Sequence, residues 1–153
     1  MRRYQGNPRL MLATQARARM LSEASAALEA LGDERAMSGE IVNARAVICL
    51  ADGDPAGALG AVRTVLDGTA PVIGYVTAVE AQLLAGLAHR ELGDQRVADL
   101  AAERALALAE PDRLVLPFAM TGSWGLLAAL PRRETAHAAL LTDILDILDG
   151  ASR

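Results

Sequence analysis

The chain has 153 residues, of which 52% are hydrophobic, 3% aromatic and 22% charged, with a formal net charge of −4. That is one domain's length, sufficient to bury a core, and its acidic balance argues against a phosphate-gripping face. The single cysteine excludes a disulfide framework and a multi-cysteine zinc site, no stretch approaches the roughly 20 apolar residues of a membrane span, and Met1-Arg2-Arg3-Tyr4 lacks the apolar run of a secretory signal.

Ala, Leu, Arg and Glu, the strong helix formers, dominate, while β-branched and aromatic residues are sparse. The expectation is an all-α chain of about seven helices. Pro8 suits a first helical position, and Leu10, Thr14, Arg17, Leu21, Ala24, Leu28 and Leu31 make one helical stripe over about 8–31. A second helix is expected over about 37–51, with Ile41, Ala44, Ile48 and Ala51 on one face. Gly53-Asp54-Pro55 then supplies a C′ glycine, an N-cap and a first-turn proline. The third helix is expected over about 55–66, burying Ala58, Leu59, Val62, Val65 and Leu66.

After the Asp67-to-Pro71 loop, a fourth helix is expected over about 74–92, carrying Val76, Val79, Leu83, Leu84 and Leu87. Gly93-Asp94 breaks it. The fifth helix, over about 95–109, carries Val97, Leu100, Ala101, Ala105 and Leu108, and Pro111 stops it. Short helical turns are expected around Leu114-to-Phe118 and from Trp124 to Leu130, with Trp124 and Phe118 as core anchors. The last helix is expected over about 134–148, with Ala136, Leu140, Leu141, Ile144, Leu145 and Leu148 facing inward.

The chain repeats itself at an offset of 40 residues. Gly53-Asp54 corresponds to Gly93-Asp94, Ala58 to Ala98, Ala61 to Ala101, Leu66 to Leu106 and Pro71 to Pro111. A helix–Gly-Asp–helix–Pro unit thus occurs twice, which predicts antiparallel helix pairs over about 37–67 and 74–109. Small residues at Ala58, Ala98 and Ala105 suit helix crossings, where bulk would separate the axes.

Chemistry-bearing patterns are few. With no lysine in the chain, a Walker lysine is excluded. Gly53-to-Gly60 lacks the dinucleotide-binding spacing and no strand precedes it. His89 and His137 lie on different helices and form no metal-binding pair. Cys49, within Val47-Ile48-Cys49-Leu50, reads as a packed thiol. Asp143, Asp146 and Asp149 recur every third residue and read as a solvated helix face. Arg2, Arg3, Arg9, Arg17 and Arg19 make the first twenty residues purely basic. Such an arm can serve nucleic acid or anionic lipid, but Arg17 shares the apolar stripe, which favours packing of its stem. Residues 1–76 are neutral overall and 77–153 carry the net −4. No constellation of base, nucleophile or metal ligands appears, so no catalytic residue, metal or cofactor is expected.

The second unit resembles the tetratricopeptide family in Gly86, Gly93, Ala98, Ala105 and Pro111. It departs from that family at Gln82, His89 and Ala102, where large aromatics are usual, and in its longer period. Over about residues 36–149 the chain resembles the helical-repeat part of large LuxR-type transcriptional regulators related to the maltose regulator. The resemblance rests on Gly53-Asp54-Pro55 with Ala58-Leu59, on Val65-Leu66-Asp67-Gly68, on Ala109-Glu110-Pro111-Asp112 with Leu114 to Phe118, and on Thr135 to Leu141. It implies a right-handed stack of helix pairs, cytoplasmic signalling, and a protein partner or small-molecule inducer read by the repeats. It further implies that DNA is bound by a helix-turn-helix domain outside this chain, which is then expected to be a fragment. A free-standing helical-repeat scaffold is the alternative. For either, the expected groove lies near Arg45, Glu80, Gln82 and Arg90. Neither direct nucleic-acid contact nor membrane attachment is expected, and exposed repeat ends, at Leu10, Leu21 and Leu28 or on the last helix, are expected to pair two copies.

Overall fold

A computed structural model of the chain describes residues 38–151 without interruption and, before them, Arg19, Met20, Ser22, Glu23, Ala24, Ala26, Ala27, Glu29 and Ala30. All of these upstream residues except Ala30 are helical; the rest of the helix expected over 8–31 lies outside the described residues. Seven further helices follow: α1 (Gly39–Ala51), α2 (Pro55–Leu66), α3 (Val76–Glu91), α4 (Gln95–Ala109), α5 (Leu116–Met120), α6 (Trp124–Ala128) and α7 (Ala138–Ala151). A 3-10 turn, Glu110–Asp112, links α4 to α5. Among the described residues there is no strand, and no helix is long and apolar enough to cross a membrane.

The helix ends follow from the turn residues. Gly53 and Gly93 have φ of +74° and +82°, the left-handed region that costs a glycine nothing. The following N–H groups then reach back into the preceding helices, from Asp54 to Cys49 O at 2.8 Å and from Asp94 to His89 O at 2.9 Å. Each aspartate side chain also caps the next helix. Asp54 Oδ1 accepts from Gly57 N at 2.8 Å and Asp94 Oδ1 from Val97 N at 3.3 Å. The same closure recurs after α2, from Thr69 N to Thr64 O at 2.9 Å, and after the 3-10 turn, from Leu114 N to Ala109 O at 3.0 Å.

The helices pack largely in chain order: α1 on α2, α2 on α3 and α3 on α4, with α1 also touching α3. Helices α5 and α6 lie against α3, and α6 also contacts α4 and α7. Two apolar clusters result. One joins α1, α2 and one side of α3 through Val42, Ala46, Ala58, Val62, Leu84 and Ala88. The other joins the opposite side of α3 to α4, α5, α6 and α7 through Val79, Leu83, Leu106, Phe118, Leu126 and Ile144. Helix α3 is therefore buried on two sides. Its Ala81, Ala85, Gly86 and Ala88 let neighbouring backbones approach.

Several expected faces are corrected. On α1 the buried residues are Gly39, Val42, Asn43 and Ala46; Ile41, Ala44 and Ile48 are only half-buried and Ala51 is exposed. On α4 the buried face is Ala98, Ala101, Ala102, Ala105, Leu106 and Ala109, whereas Leu100 and Leu108 are exposed. On α2, Leu66 is exposed, unlike its counterpart Leu106, and on α3 so is Val76. On α4 the crossing takes alanines and turns Leu100 and Leu108 outward, whereas α1 buries Val42 and Asn43 and leaves Ala44 half-buried and Ala51 exposed. Phe118 is a core anchor, but Trp124 is 49% exposed, its indole Nε1 donating to Asp149 Oδ1 at 3.0 Å. The last helix begins at Ala138, later than expected, because residues 131–137 form turns. His137 fixes them with an Nδ1···Glu110 Oε2 contact of 2.5 Å.

Candidate functional site

The most constrained polar junction lies where the loop between α2 and α3 returns to the start of α1. Gly39 N donates to Pro71 O at 2.8 Å. A Cβ on Gly39 would stand 2.5 Å from Val72 Cγ1, so only glycine lets the loop sit this close. Next in α1, Glu40 Oε1 accepts from the Ile73 backbone N–H at 2.7 Å and from Thr77 Oγ1 at 3.0 Å. One turn further, Asn43 Nδ2 donates to Thr77 O at 2.9 Å. A single face of α1 thus holds both the loop and the first turn of α3.

The junction separates two carboxyls by environment. The Ile73 N–H holds the Glu40 carboxyl below the usual carboxylate range, with Thr77 helping and burial opposing. Burial pushes the Glu80 carboxyl upward; hydrogen bonding from the Asn43 side chain opposes this, and the Glu40 charge adds to it. Asn43 is 3% exposed, and its Oδ1 is buried without a hydrogen-bond partner. Such an orphan acceptor costs stability.

What the junction presents outward is apolar. Ile73 is 94% exposed, and Val72, Tyr75 and Val76 are exposed beside it in the chain. An apolar tip fixed by backbone and carboxylate hydrogen bonds has lost much of its conformational freedom before any partner arrives, which lowers the cost of binding. The sequence reading missed this tip: it ended the loop at Pro71, began the next helix at about Gly74 and assigned Val72 and Ile73 to neither. The available signal was Val72-Ile73-Gly74-Tyr75-Val76, an apolar run where a solvated loop is ordinarily polar.

Of the residues expected to line a groove, Glu80 belongs to this junction. Arg45 and Gln82 are half-buried on α1 and α3. Arg90 lies over Gly125 at the start of α6, where a Cβ would stand 2.5 Å from its Nη1. No hydrogen bond or ion pair among the described residues links the four. Cys49 is half-buried; burial first, then Asp54 and Asp52, pushes its thiol pKa up, away from thiolate reactivity. Two of the open grooves lie elsewhere. One, of about 410 Å³, is lined by Leu59, Arg63, Leu66, Asp67 and His89. The other, of about 470 Å³, runs between Arg96, Asp99, Leu100 and Glu103 of α4 and the Leu130–Glu134 stretch. Among the described residues, no three or more His, Cys, Asp or Glu side chains come together to hold a metal ion.

Compared with family models, with curated proteins and with solved structures, the chain matches none.

Proposed function

We propose that this chain is a non-catalytic protein-interaction segment. In this account its helix pairs stack as tetratricopeptide-like repeats in a right-handed superhelix, and the loop around Ile73 is a principal contact for a partner. The observation that carries it is the Ile73 tip, apolar and 94% exposed on a backbone that Glu40 and Gly39 hold in place. Rigid exposed apolar anchors are the usual centre of a recognition surface. The repeat is supported by Gly53-Asp54 and Gly93-Asp94, which make the same turn 40 residues apart.

The cellular role we assign is that of a sensor and interaction segment of a cytoplasmic LuxR-type transcriptional regulator, with DNA bound by a domain outside this chain. The motifs quoted from Gly53 to Leu141 support it. The test is genetic. An in-frame chromosomal deletion of codons 38–151 should change the transcript levels of a small set of genes. An Ile73→Asp allele, producing normal protein levels by immunoblot, should reproduce that change. Unaltered transcripts in the deletion strain would overturn the regulator role and favour a free-standing scaffold. A deletion phenotype that Ile73→Asp does not share would remove the loop from the contact surface.

A further inference from the structure

We propose that the outer side of α7 is the docking face for the basic N-terminal segment of a second copy of this chain, so that copies associate head to tail. This goes beyond the role assigned to the Ile73 loop and does not depend on it.

Helix α7 buries Leu140, Leu141, Ile144 and Leu145 and turns Asp143, Asp146, Asp149 and Ile147 outward. At 100° per residue, the three aspartates and Ile147 occupy one continuous outer arc. A groove of about 320 Å³ runs along one flank, between Asp143, Asp146, Leu140 and Ile147 on the helix and Arg113 and Val115 beside it. On the other flank stands the half-exposed Trp124 indole, fixed by its bond to Asp149. The face therefore offers an apolar slot and an exposed aromatic platform, with carboxylates along the crest between them. Arg113 pairs with Asp143, which leaves the crest net negative.

The complementary chemistry is in this same chain. Its first nineteen residues carry Arg2, Arg3, Arg9, Arg17 and Arg19, no acidic residue, and the apolar Tyr4, Leu10, Met11 and Leu12. Guanidinium groups pair bidentately with carboxylates and stack on indole. That segment precedes α1 in the chain, and α7 is the last helix. In the proposed union the basic segment of one copy meets this face of the next. A head-to-tail contact of this kind is heterologous and extends unless it closes into a ring.

The test uses the full chain in analytical ultracentrifugation. From about 5 to about 500 µM in about 50 mM salt, the average mass should rise above the 16.0 kDa monomer. In about 500 mM salt, where exposed charges are screened, association should weaken by about tenfold. One variant carries Asp143→Asn, Asp146→Asn and Asp149→Asn, and another carries Arg2→Ala, Arg3→Ala and Arg9→Ala. Each alone should stay monomeric with unchanged helical circular dichroism. Mixed together they should form a one-to-one dimer that grows no further, because the first retains the arm and the second retains the face. Four results would overturn the proposal: a monomer at every concentration, which would place the arm on its own copy or nowhere; association indifferent to salt; association that persists in either variant alone; or a mixture that fails to pair.

Discussion

Asp54 and Asp94, forty residues apart, perform the same two tasks. Each donates its backbone N–H to the helix it follows and accepts, through its carboxylate, from the N–H of the third residue of the helix it precedes. Their backbones agree too, with φ, ψ of −114°, 75° and −96°, 75°. Replacing either with alanine should cost about 1 kcal/mol, the usual worth of an N-cap. The Asp54 bond is 2.8 Å against 3.3 Å at Asp94, so Asp54→Ala should cost more. Asparagine at either position should retain most of the stability. Urea denaturation of the four variants checks both the size and the order.

Arg113 is the one described non-glycine residue with positive φ, at 50°. It occupies the position that glycine holds after α1, α2 and α3, and its side chain pairs with Asp143 at a largely exposed site. An exposed pair is worth little, while a side chain in the left-handed region costs about 1 kcal/mol. Arg113→Gly should therefore stabilise the fold by roughly 0.5–1 kcal/mol. Arg113→Ala, which keeps the strain, should not. A rise in the denaturation midpoint for glycine alone is the expected result.

Two helical glycines should respond oppositely to alanine. A Cβ at Gly60 meets nothing within 4 Å, so Gly60→Ala should add about 0.5–1 kcal/mol through helix propensity. At Gly86 a Cβ would stand 2.8 Å from Leu126 Cδ2, and Leu126 is fully buried. Gly86→Ala should cost about 1–3 kcal/mol as overpacking between α3 and α6. Thermal melts of the two variants should shift in opposite directions.

Glu40 and Glu80 should give opposite pH signatures. Glu40 has a depressed folded pKa, so its contribution is present above the ordinary carboxylate range and is lost as pH falls through that folded value. Glu40→Gln should destabilise at neutral pH, with the loss shrinking in acid. Glu80 has a raised folded pKa, so its contribution is present in acid and is lost as pH rises through that value. Glu80→Gln should stabilise at neutral pH and gain nothing in acid. Denaturation midpoints measured across the acidic range should show the two variants converging on the parent from opposite sides.

Helix existence was legible because it is set locally. Pro55 and Gln95 start helices where capping chemistry places them, and Leu66 and Ala109 end them as expected. Burial was less legible because it depends on which neighbour arrives. The large apolar residues Leu100, Leu108 and Trp124 suggested cores but are exposed, whereas Ala58, Ala98 and Ala105, expected at crossings, are buried. The junction depends on pairings 33–37 residues apart in sequence, such as Glu40 with Ile73 and Thr77. No local pattern reports such pairings.

The open reading frame on both sides of this segment tests the regulator role most directly. A helix-turn-helix coding region continuing in frame beyond Arg153 is the predicted result, with a nucleotide-binding Walker lysine encoded before Met1. A frame that closes after Arg153, with no DNA-binding module joined to it, would contradict that role.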